Sequence, residues 1–493
     1  MIRPISDVKK SVAELSRFLS LESNLEVNFT GVTSDSRAVE LGDLFVALPG
    51  AKTHGADFID QIKASGAVAV ITDATGLEII GNKLPVITVK DPRSQLGDIC
   101  SWFYGSPSSS LKIAGITGTN GKTTTTTILN EILKFAGKST GLIGTVGIEI
   151  GSELLTTSFT TPEAGELQSL FATMAERHIS HVAMEVSSHA LAAHRVAGTK
   201  FSAVGFTNLT QDHLDFHGDM ASYFSTKAKL FTSEFCELGF VNIDDHYGQS
   251  LFDSAPIPLI SLSRANKSAQ WRYERAEIKT HGYSVAIRGT GGILIEGEIN
   301  LIGEHDLDNV LMAVAIAYEF EIDPLVISNS LPRIRGAAGR LESVDIGQKF
   351  LALVDYAHTP DAVTRTLATL RKSTSGMIIG VLGCGGDRDR SKRPIMGSEL
   401  LAGSDQAIFT SDNPRSEDPK NILDEMTKGL KLKENSSVIV NRREAIALAV
   451  ASAQPGDCII VLGKGHETGQ EIAGEKFPFD DRIELARAIE ELA

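Results

Sequence analysis

Through the first hundred residues, short apolar runs alternate with polar turns. Residues 44–48, 67–71 and 86–89 read as strands, the last directly after Pro85. The segment 105–110, rich in Ser and Pro, reads as a linker and sets the first expected boundary. A strand, a small polar loop and a helix follow at 112–116, 117–121 and Lys122–Phe135. Ile128, Leu129, Ile132 and Leu133 share one face of that helix, and Gly137 stands where a C-terminal cap is expected. Further strands are predicted at 181–184 and Ala203–Phe206. After Arg335-Gly-Ala-Ala-Gly339 the alternation resumes, with strands at 351–354, 377–382, 407–410 and Cys458–Leu462. Strands alternating with helices predict mostly parallel sheets covered on both faces. No repeat of 20–50 residues is evident, so the expected fold is three consecutive α/β domains, at 1–108, 109–335 and 336–493.

Composition narrows the function classes. At 493 residues, with 42% hydrophobic and 22% charged side chains, the chain has material for several cores, which argues against a disordered or collagen-like protein. Its 47 Lys and Arg against 62 Asp and Glu leave a net charge of −15, the wrong sign for non-specific nucleic-acid binding. A local basic site for phosphates is compatible with that sum. Cys100, Cys236, Cys384 and Cys458 lie far apart and form no CxxC pair, which fits a reducing compartment and argues against a zinc ribbon. The start, MIRPISDVKKSVAEL, has mixed charge and no apolar h-region, and no run reaches 18 apolar residues. A soluble, cytoplasmic protein is expected.

The first candidate chemistry is Gly118-Thr-Asn-Gly-Lys-Thr-Thr124, set between a predicted strand and a predicted helix. There, backbone N–H groups and a helix N-terminus can cradle phosphates, Lys122 can neutralise their charge, and the Thr123 hydroxyl can ligate Mg²⁺. Ile116 stands where the strict GxxxxGK[ST] pattern has its first Gly. The central domain is therefore expected to be P-loop ATPase-like and the C-terminal one Rossmann-like. Glu185 and His213 follow predicted strands, where ligands gather in open α/β sheets. A carboxylate and an imidazole suit a divalent ion, although Mg²⁺ prefers oxygen, and bare histidines are more often surface or core residues. Lys227, read as chemistry alone, is a solvated surface charge. Loops at 383–390, 411–416 and 463–467 close three further strands and carry charge, which predicts a polar site at the top of one sheet.

The GTNGKT loop resembles the ATP loop of the Mur ligases and folylpolyglutamate synthetases, ATP-dependent enzymes that form amide bonds. MEVSSH and the NL…DHLD…HG block resemble Mur ligase motifs as well. On that resemblance Gly118, Thr119, Asn120, Gly121, Lys122, Thr123 and Thr124 would hold ATP. Thr123, Glu185 and His213 would hold Mg²⁺, and Thr160, Thr161, Ser187 and Arg195 would contact a UDP-muramyl dipeptide. Lys227 matches a lysine that these enzymes carbamylate; counting from Gly218-Asp-Met220 favours it over Lys229. Asn309 would meet the adenine, with Asp306 where an Asn is common. Gly339-Arg-Leu-Glu342 resembles the family's hinge, which assigns Arg340 to the nucleotide on closure; Ala337-Ala338 replace the usual Val-Pro. Asp355-Tyr-Ala-His-Thr-Pro360 matches another family motif. Thr33-Ser-Asp-Ser-Arg37 and the Thr53-His-Gly55 turn resemble a UDP-binding first domain, with Ser36 as the contact and Thr53 and His54 nearby.

Asp412-Asn-Pro-Arg415 resembles the diaminopimelate-adding subgroup; lysine-adding relatives lack this arginine. A guanidinium can grip the second carboxylate of diaminopimelate through two parallel hydrogen bonds. L-Lysine would leave Arg415 unpaired, at about 1–3 kcal/mol. Arg388 would hold a carboxylate too, and Gly463 and Glu467, beside Asp412, Asn413 and Pro414, would receive the distal ammonium. The resemblance thus implies a ligase using ATP and Mg²⁺. ATP phosphorylates the D-Glu γ-carboxylate of UDP-MurNAc-L-Ala-D-Glu, and meso-diaminopimelate attacks the acyl phosphate, in peptidoglycan precursor synthesis. Its expected partners are those small molecules, with no nucleic acid, no membrane insertion and a monomeric chain. A lysine-adding ligase is the nearest rival, and the arginine argues against it. A P-loop switch leaves DYAHTP, GGDRDR and DNPR unexplained, and a non-catalytic binding module leaves every catalytic position filled without purpose.

Overall fold

The computed structural model describes every residue except 1, 6–7, 23–24, 51, 158, 280–281 and 493. The chain forms two compact units. The first holds Met1–Tyr273, Ile287–Ile295 and Asp308–Ser328; the second holds Glu274–Ala286, Glu296–Leu307 and Asn329–Ala493.

Besides the short antiparallel pair of Lys10–Ser11 with Asn28–Phe29, two larger sheets build the first unit. The smaller is parallel, with strands β1 (Gly31–Thr33), β2 (Asp43–Val46), β3 (Ala69–Thr72) and β4 (Val86–Thr88) in sequential order. Its central strands are buried along their whole length, Asp43 and Thr72 included, because both faces are covered. Leu44, Val46, Ala69 and Ile71 pack with Leu96, Ile99 and Phe103 of helix α1 (Pro92–Phe103), while Phe45 and Val70 pack with Ile59, Ile62 and Ile80. Asp91 caps α1 by accepting from the Arg93 and Ser94 N–H groups, and Pro92 occupies the first turn, where its missing N–H costs nothing. The expected linker at 105–110 is instead a compact turn. Pro107 and Ser108 are buried, and Ser108 Oγ accepts from the Lys200 N–H at 3.2 Å.

The larger sheet carries β5 (Lys112–Thr117), β6 (Thr140–Gly144), β7 (Gly147–Ile150), β8 (Glu153–Leu155), β9 (His181–Glu185), β10 (Ala203–Phe206), β11 (Gly239–Asn242) and β12 (Leu259–Ser263). These eight run in the order β8-β7-β6-β9-β5-β10-β11-β12. All pairs are parallel except β8 with β7 and β7 with β6. β5 sits between β9 and β10, with Glu185 in register with Ile116 and Phe206 with Thr117. The chain fills β6 and β9 on one side of β5 and then crosses from β9 to β10 on the other, so the C-terminal end of β5 opens on the crevice where such sheets take ligands. Helix α2 (Lys122–Phe135) begins there and buries Ile128, Leu129, Ile132 and Leu133; the Gly137 N–H then closes on the Lys134 carbonyl.

In the second unit β13 (Leu351–Asp355), β14 (Ile378–Leu382), β15 (Gln406–Thr410), β16 (Ser437–Ile439) and β17 (Cys458–Leu462) run parallel in the order β13-β17-β14-β15-β16, and the short strand Glu342–Ser343 pairs antiparallel with β13 at the sheet's edge. Helices α3 (Pro360–Ser373) and α4 (Lys392–Gly403) cover one face through Leu367, Leu370, Met396 and Leu400. Helices α5 (Arg442–Ser452) and α6 (Asp481–Leu492) cover the other through Ala445, Ile446, Leu485 and Ile489. Arg442 and Asp481 are both fully buried and form a bidentate pair at 2.7 and 2.6 Å. The same guanidinium donates to the Ser411 and Leu462 carbonyls, tying the ends of β15 and β17 together.

Candidate active site

The first unit gathers the phosphate loop at the end of β5. Gly121, at φ +84°, turns the chain into α2, and a side chain there would strike Asn309 Oδ1. That amide also accepts from Thr125 Oγ1 at 3.2 Å, so Asn309 is locked to the loop. The loop leans on the segment after β10: Thr207 Oγ1 donates to the Asn120 carbonyl at 2.6 Å, and the Asn120 N–H donates to Asn208 Oδ1 at 3.0 Å. Lys122 folds over the loop, its ammonium donating to the Gly118 and Thr119 carbonyls at 3.0 and 2.9 Å. Thr124 is buried in the first turn of α2.

Thr123 and Glu185 meet. Thr123 Oγ1 donates to Glu185 Oε2 at 3.0 Å, while Glu185 Oε1 accepts from the Thr145 N–H at 2.7 Å. Thr145 Oγ1 also reaches Glu185 Oε2 at 3.3 Å and touches Thr160 Oγ1 at 3.1 Å. A carboxylate 1% exposed is thus aimed by one residue at the hydroxyl of another. This all-oxygen donor set fits Mg²⁺, which holds few protein ligands and keeps waters and phosphate oxygens. His213 belongs to a different network. It pairs with Asp212 at 3.4 Å, and its ring lies 4.7 Å from His189 and 6.4 Å from Tyr223. Among the described residues no group of three or more His, Cys, Asp and Glu side chains could hold a metal ion.

Lys227, in the helix Met220–Ala228, is 1% exposed, which overturns its reading as a solvated charge. Its ammonium donates to the Gly118 carbonyl at 2.9 Å and lies 4.8 Å from the centre of the Tyr223 ring. Burial, reinforced by the Lys122 charge, holds its pKa well below the ordinary 10.5. Tyr223 in turn shares a hydrogen bond with Thr119 Oγ1 at 3.2 Å.

The expected dipeptide contacts divide. Thr161 is fully buried, and its hydroxyl is taken up by the Glu185 carbonyl at 2.9 Å and the Ser187 N–H at 3.1 Å. It is therefore a strut behind the site, because no surface of it is left for a ligand. Ser158 of the same run lies outside the described residues. Ser187 caps the short helix Ser188–Ala192 by accepting from the Ala190 N–H. Arg195 is held by Glu163 at 2.9 Å and the Thr161 carbonyl at 3.2 Å, with its guanidinium 4.2 Å from the exposed Phe159 ring. In the smaller sheet, Ser36 lies in a tight turn where its carbonyl accepts from Gln61, beside the Asp35–Arg37 pair at 2.9 Å. His54 is a structural cap: Nδ1 accepts from the Ala56 N–H at 3.0 Å, and Nε2 faces Asp73 at 3.2 Å.

The second unit holds a cavity of about 320 Å³ at the C-terminal ends of β13, β14, β15 and β17. Arg388, Lys392 and Arg415 line it together with Asp412, Asn413, Gly463 and Glu467. Cations and carboxylates in one polar cavity match a ligand bearing both ammonium and carboxylate groups. Burial pushes the Asp412 carboxyl above its usual range, against the lowering pull of Arg442 and Lys464. Arg415 takes the left-handed conformation, φ +50°, and is held there by its N–H on the Glu471 carbonyl and its own carbonyl on the Ala473 N–H. Its Nη1 donates to the Gly386 carbonyl at 2.7 Å, and Nε lies 3.4 Å from Glu471. One nitrogen of the fork is thus already committed within the protein. Pro414 is buried in the turn and does not line the cavity, since its carbonyl is used by the Glu417 N–H. Asp355 holds the Leu341 and Ala357 N–H groups, and Arg340 lies 5.1 Å from the Tyr356 ring, which the His466 ring also meets at 5.2 Å. Gly339, at φ +66°, lies so close to Gly465 that a side chain would strike the backbone of Gly465 and His466.

Sequence reasoning left several of these residues unassigned: Thr145, Tyr223, Tyr356 and Lys464. Thr145 and Tyr223 carry no local signal, since their roles arise from strand pairing and helix docking. Tyr356 and Lys464 lie inside motifs that were singled out whole, and only burial and partners separate their roles from those of their neighbours.

Comparisons with known proteins agree along the chain. Residues 28–104 match the model "Mur ligase family, catalytic domain", 116–317 "Mur ligase middle domain" and 339–465 "Mur ligase, glutamate ligase domain". A UDP-N-acetylmuramoyl-L-alanyl-D-glutamate–2,6-diaminopimelate ligase of Streptomyces avermitilis is 46% identical, over 94% of this chain and 93% of its own. One from Streptomyces coelicolor is also 46% identical, over 99% and 98%. A solved structure of a ligase of that name is 31% identical, with a TM-score of 0.75 over 97% of this chain and 98% of the other. Identity of this order extends across nearly the whole length, and the chain belongs to the Mur ligase family.

Proposed function

We propose that this protein is an ATP-dependent ligase that joins meso-diaminopimelate to the D-glutamate of UDP-MurNAc-L-Ala-D-Glu in cytoplasmic peptidoglycan precursor synthesis. The observation that carries the acceptor assignment is the cavity of the second unit, where Arg388 and Arg415 stand with Asp412, Asn413 and Glu467. Diaminopimelate brings two ammonium and two carboxylate groups, and this lining offers partners to both signs. The relatives that cover nearly the whole chain carry the same activity in their names.

In the first unit the residues suit phosphoryl transfer to a carboxylate. Lys122 would exchange the Gly118 and Thr119 carbonyls for phosphate oxygens, and the N–H groups of 118–124 would cradle them. Thr123 and Glu185 would hold Mg²⁺, with His213 as the further ligand assigned on family resemblance. When bound, that ion neutralises phosphate charge. Asn309, locked to the loop, suits the nucleoside side, and Arg340 is assigned to the nucleotide on the resemblance alone. Ser36, Thr160, Ser187 and Arg195 are assigned to the UDP-dipeptide, with Thr161 supporting Glu185 and Ser187 from behind. Lys227 suits carbamylation. Its lowered pKa supplies the unprotonated amine whose nitrogen adds to the carbon of CO₂, the displaced proton leaving to solvent. The resulting anion would then face the Lys122 ammonium across the Gly118 carbonyl. The division at 1–108, 109–335 and 336–493, and a monomeric chain, belong to the same reading. Among the described residues no helix is long and apolar enough to cross a membrane.

The test is phosphate release with ATP, Mg²⁺ and UDP-MurNAc-L-Ala-D-Glu, offering meso-diaminopimelate or L-lysine in parallel, with product mass confirmed. Turnover with diaminopimelate alone is expected. Turnover with lysine alone would keep the ligase and overturn the role of Arg415, and phosphate release indifferent to both would overturn the ligase reading.

A further inference from the structure

Lys464 lies in the Gly463–Glu467 loop but has a fully buried side chain and does not line the cavity. An ammonium has three donors, and three acceptors take them: Asn413 Oδ1 at 3.2 Å, Glu467 Oε2 at 3.1 Å and the Gly469 carbonyl at 2.6 Å. With its donors so used, Lys464 has none left for a ligand. Its partners are different, because Asn413 and Glu467 both line the cavity.

The hydrogen bonds set a direction for each. Asn413 Oδ1 also accepts from the Glu471 N–H at 2.9 Å, so the amide oxygen faces inward and Nδ2 donates to Glu467 Oε2 at 2.8 Å. Both bonds to the Glu467 carboxylate therefore fall on one oxygen, leaving Oε1 for a cation in the cavity. Lys464 also places a buried positive charge among Asp412 and Glu467, two carboxylates that otherwise repel each other. Without it the amide oxygen loses one of its two donors and the Glu467 carboxylate its buried ammonium partner.

We propose that Lys464 is a positioning residue for the amino-acid acceptor, fixing the Asn413–Glu467 pair so that the Glu467 carboxylate presents one oxygen to the incoming ammonium. This rests on the function proposed above. The test measures KM for diaminopimelate, ATP and UDP-MurNAc-L-Ala-D-Glu, with thermal unfolding alongside, in the wild-type chain, Lys464→Met and Lys464→Gln. The expected result is a KM for diaminopimelate raised about 10- to 100-fold in Lys464→Met. The other two KM values should stay within about twofold. Lys464→Gln, which keeps one amide donor, should fall between Lys464→Met and the wild type. If all three KM values rise together with a loss of thermal stability, or if neither variant folds, Lys464 is core support and the inference fails. If the KM for diaminopimelate is unchanged, it fails as well. A wild-type chain that ignores diaminopimelate overturns the proposed function first, and that outcome is read before either variant is made.

Discussion

Lys122 and Lys227 donate to one acceptor, the carbonyl oxygen of Gly118, at 3.0 and 2.9 Å. Two ammonium groups on one carbonyl repel each other, and the buried one yields its proton more easily. Its folded pKa lies below the unfolded 10.5. Between those values the unfolded chain binds a proton that the native chain does not, so native stability rises with pH across that window and is lower beneath it. In CO₂-free buffer, where Lys227 carries no carbamate, Lys227→Met is therefore expected to resist urea better than wild type at pH 7. With CO₂ present its activity should fall by roughly 10²–10³-fold below wild type, the scale for removing a preorganised charged group. The stability gain should shrink toward pH 10.5. Urea midpoints of both proteins at pH 7 and pH 10 check this; a variant less stable than wild type at pH 7 would contradict it.

Arg415 has Nη1 on the Gly386 carbonyl and Nε beside Glu471, so on the proposed function Nη2 is the nitrogen it offers to a ligand. Arg415→Met should raise the KM for diaminopimelate by about 10- to 100-fold, the equivalent of losing a hydrogen bond to a charged group. The KM for ATP should not move. Initial rates at varied substrate distinguish this from general damage, because general damage raises both.

The Arg442–Asp481 pair is fully buried and fixes the ends of β15 and β17. Asp481→Ala leaves the guanidinium without its counter-charge, at a cost of about 3–5 kcal/mol. The double variant Arg442→Met, Asp481→Leu removes both charges and should recover much of that loss. Urea denaturation of the three proteins is the check, and equal stability of the two variants would sink the argument.

His181 is buried against the edge of Phe320, with its pKa lowered to about 4 by burial and by Lys138 and Lys112. The neutral ring is favoured in the native state. From pH 6.5 down to about 4 the unfolded chain gains a proton that the native chain refuses, so stability falls as pH falls across that window. His181→Phe should flatten this part of the stability–pH profile relative to wild type. Parallel profiles for the two proteins would count against it.

Much of the fold was legible because its signals are local. Helix α2 has an apolar face of Ile128, Leu129, Ile132 and Leu133, a Gly before it and a Gly after it, and its expected span agrees with the structure. Strands β10 and β17 are bounded apolar runs and also agree. β7 and β8 went unpredicted, since a short antiparallel excursion bounded by Gly147 and Gly151 is decided by pairing with β6. The site was legible as motifs but not as depth. Nothing in the sequence separates Thr160, beside Thr145, from Thr161, which is fully buried, or marks Lys227 and Lys464 as interior charges. Arg442 and Asp481 lie 39 residues apart on different helices, beyond the reach of any local pattern.

Gly339 and Gly465 press backbone to backbone, with Gly465 also against Tyr356. A loop carrying a different amino-acid preference, spliced in at 463–467, would bring a new surface to the Gly339 turn with no side-chain layer to absorb the mismatch. The 463–467 loop and the 339–342 segment therefore form one heritable module, and a chimera that moves one has to move the other.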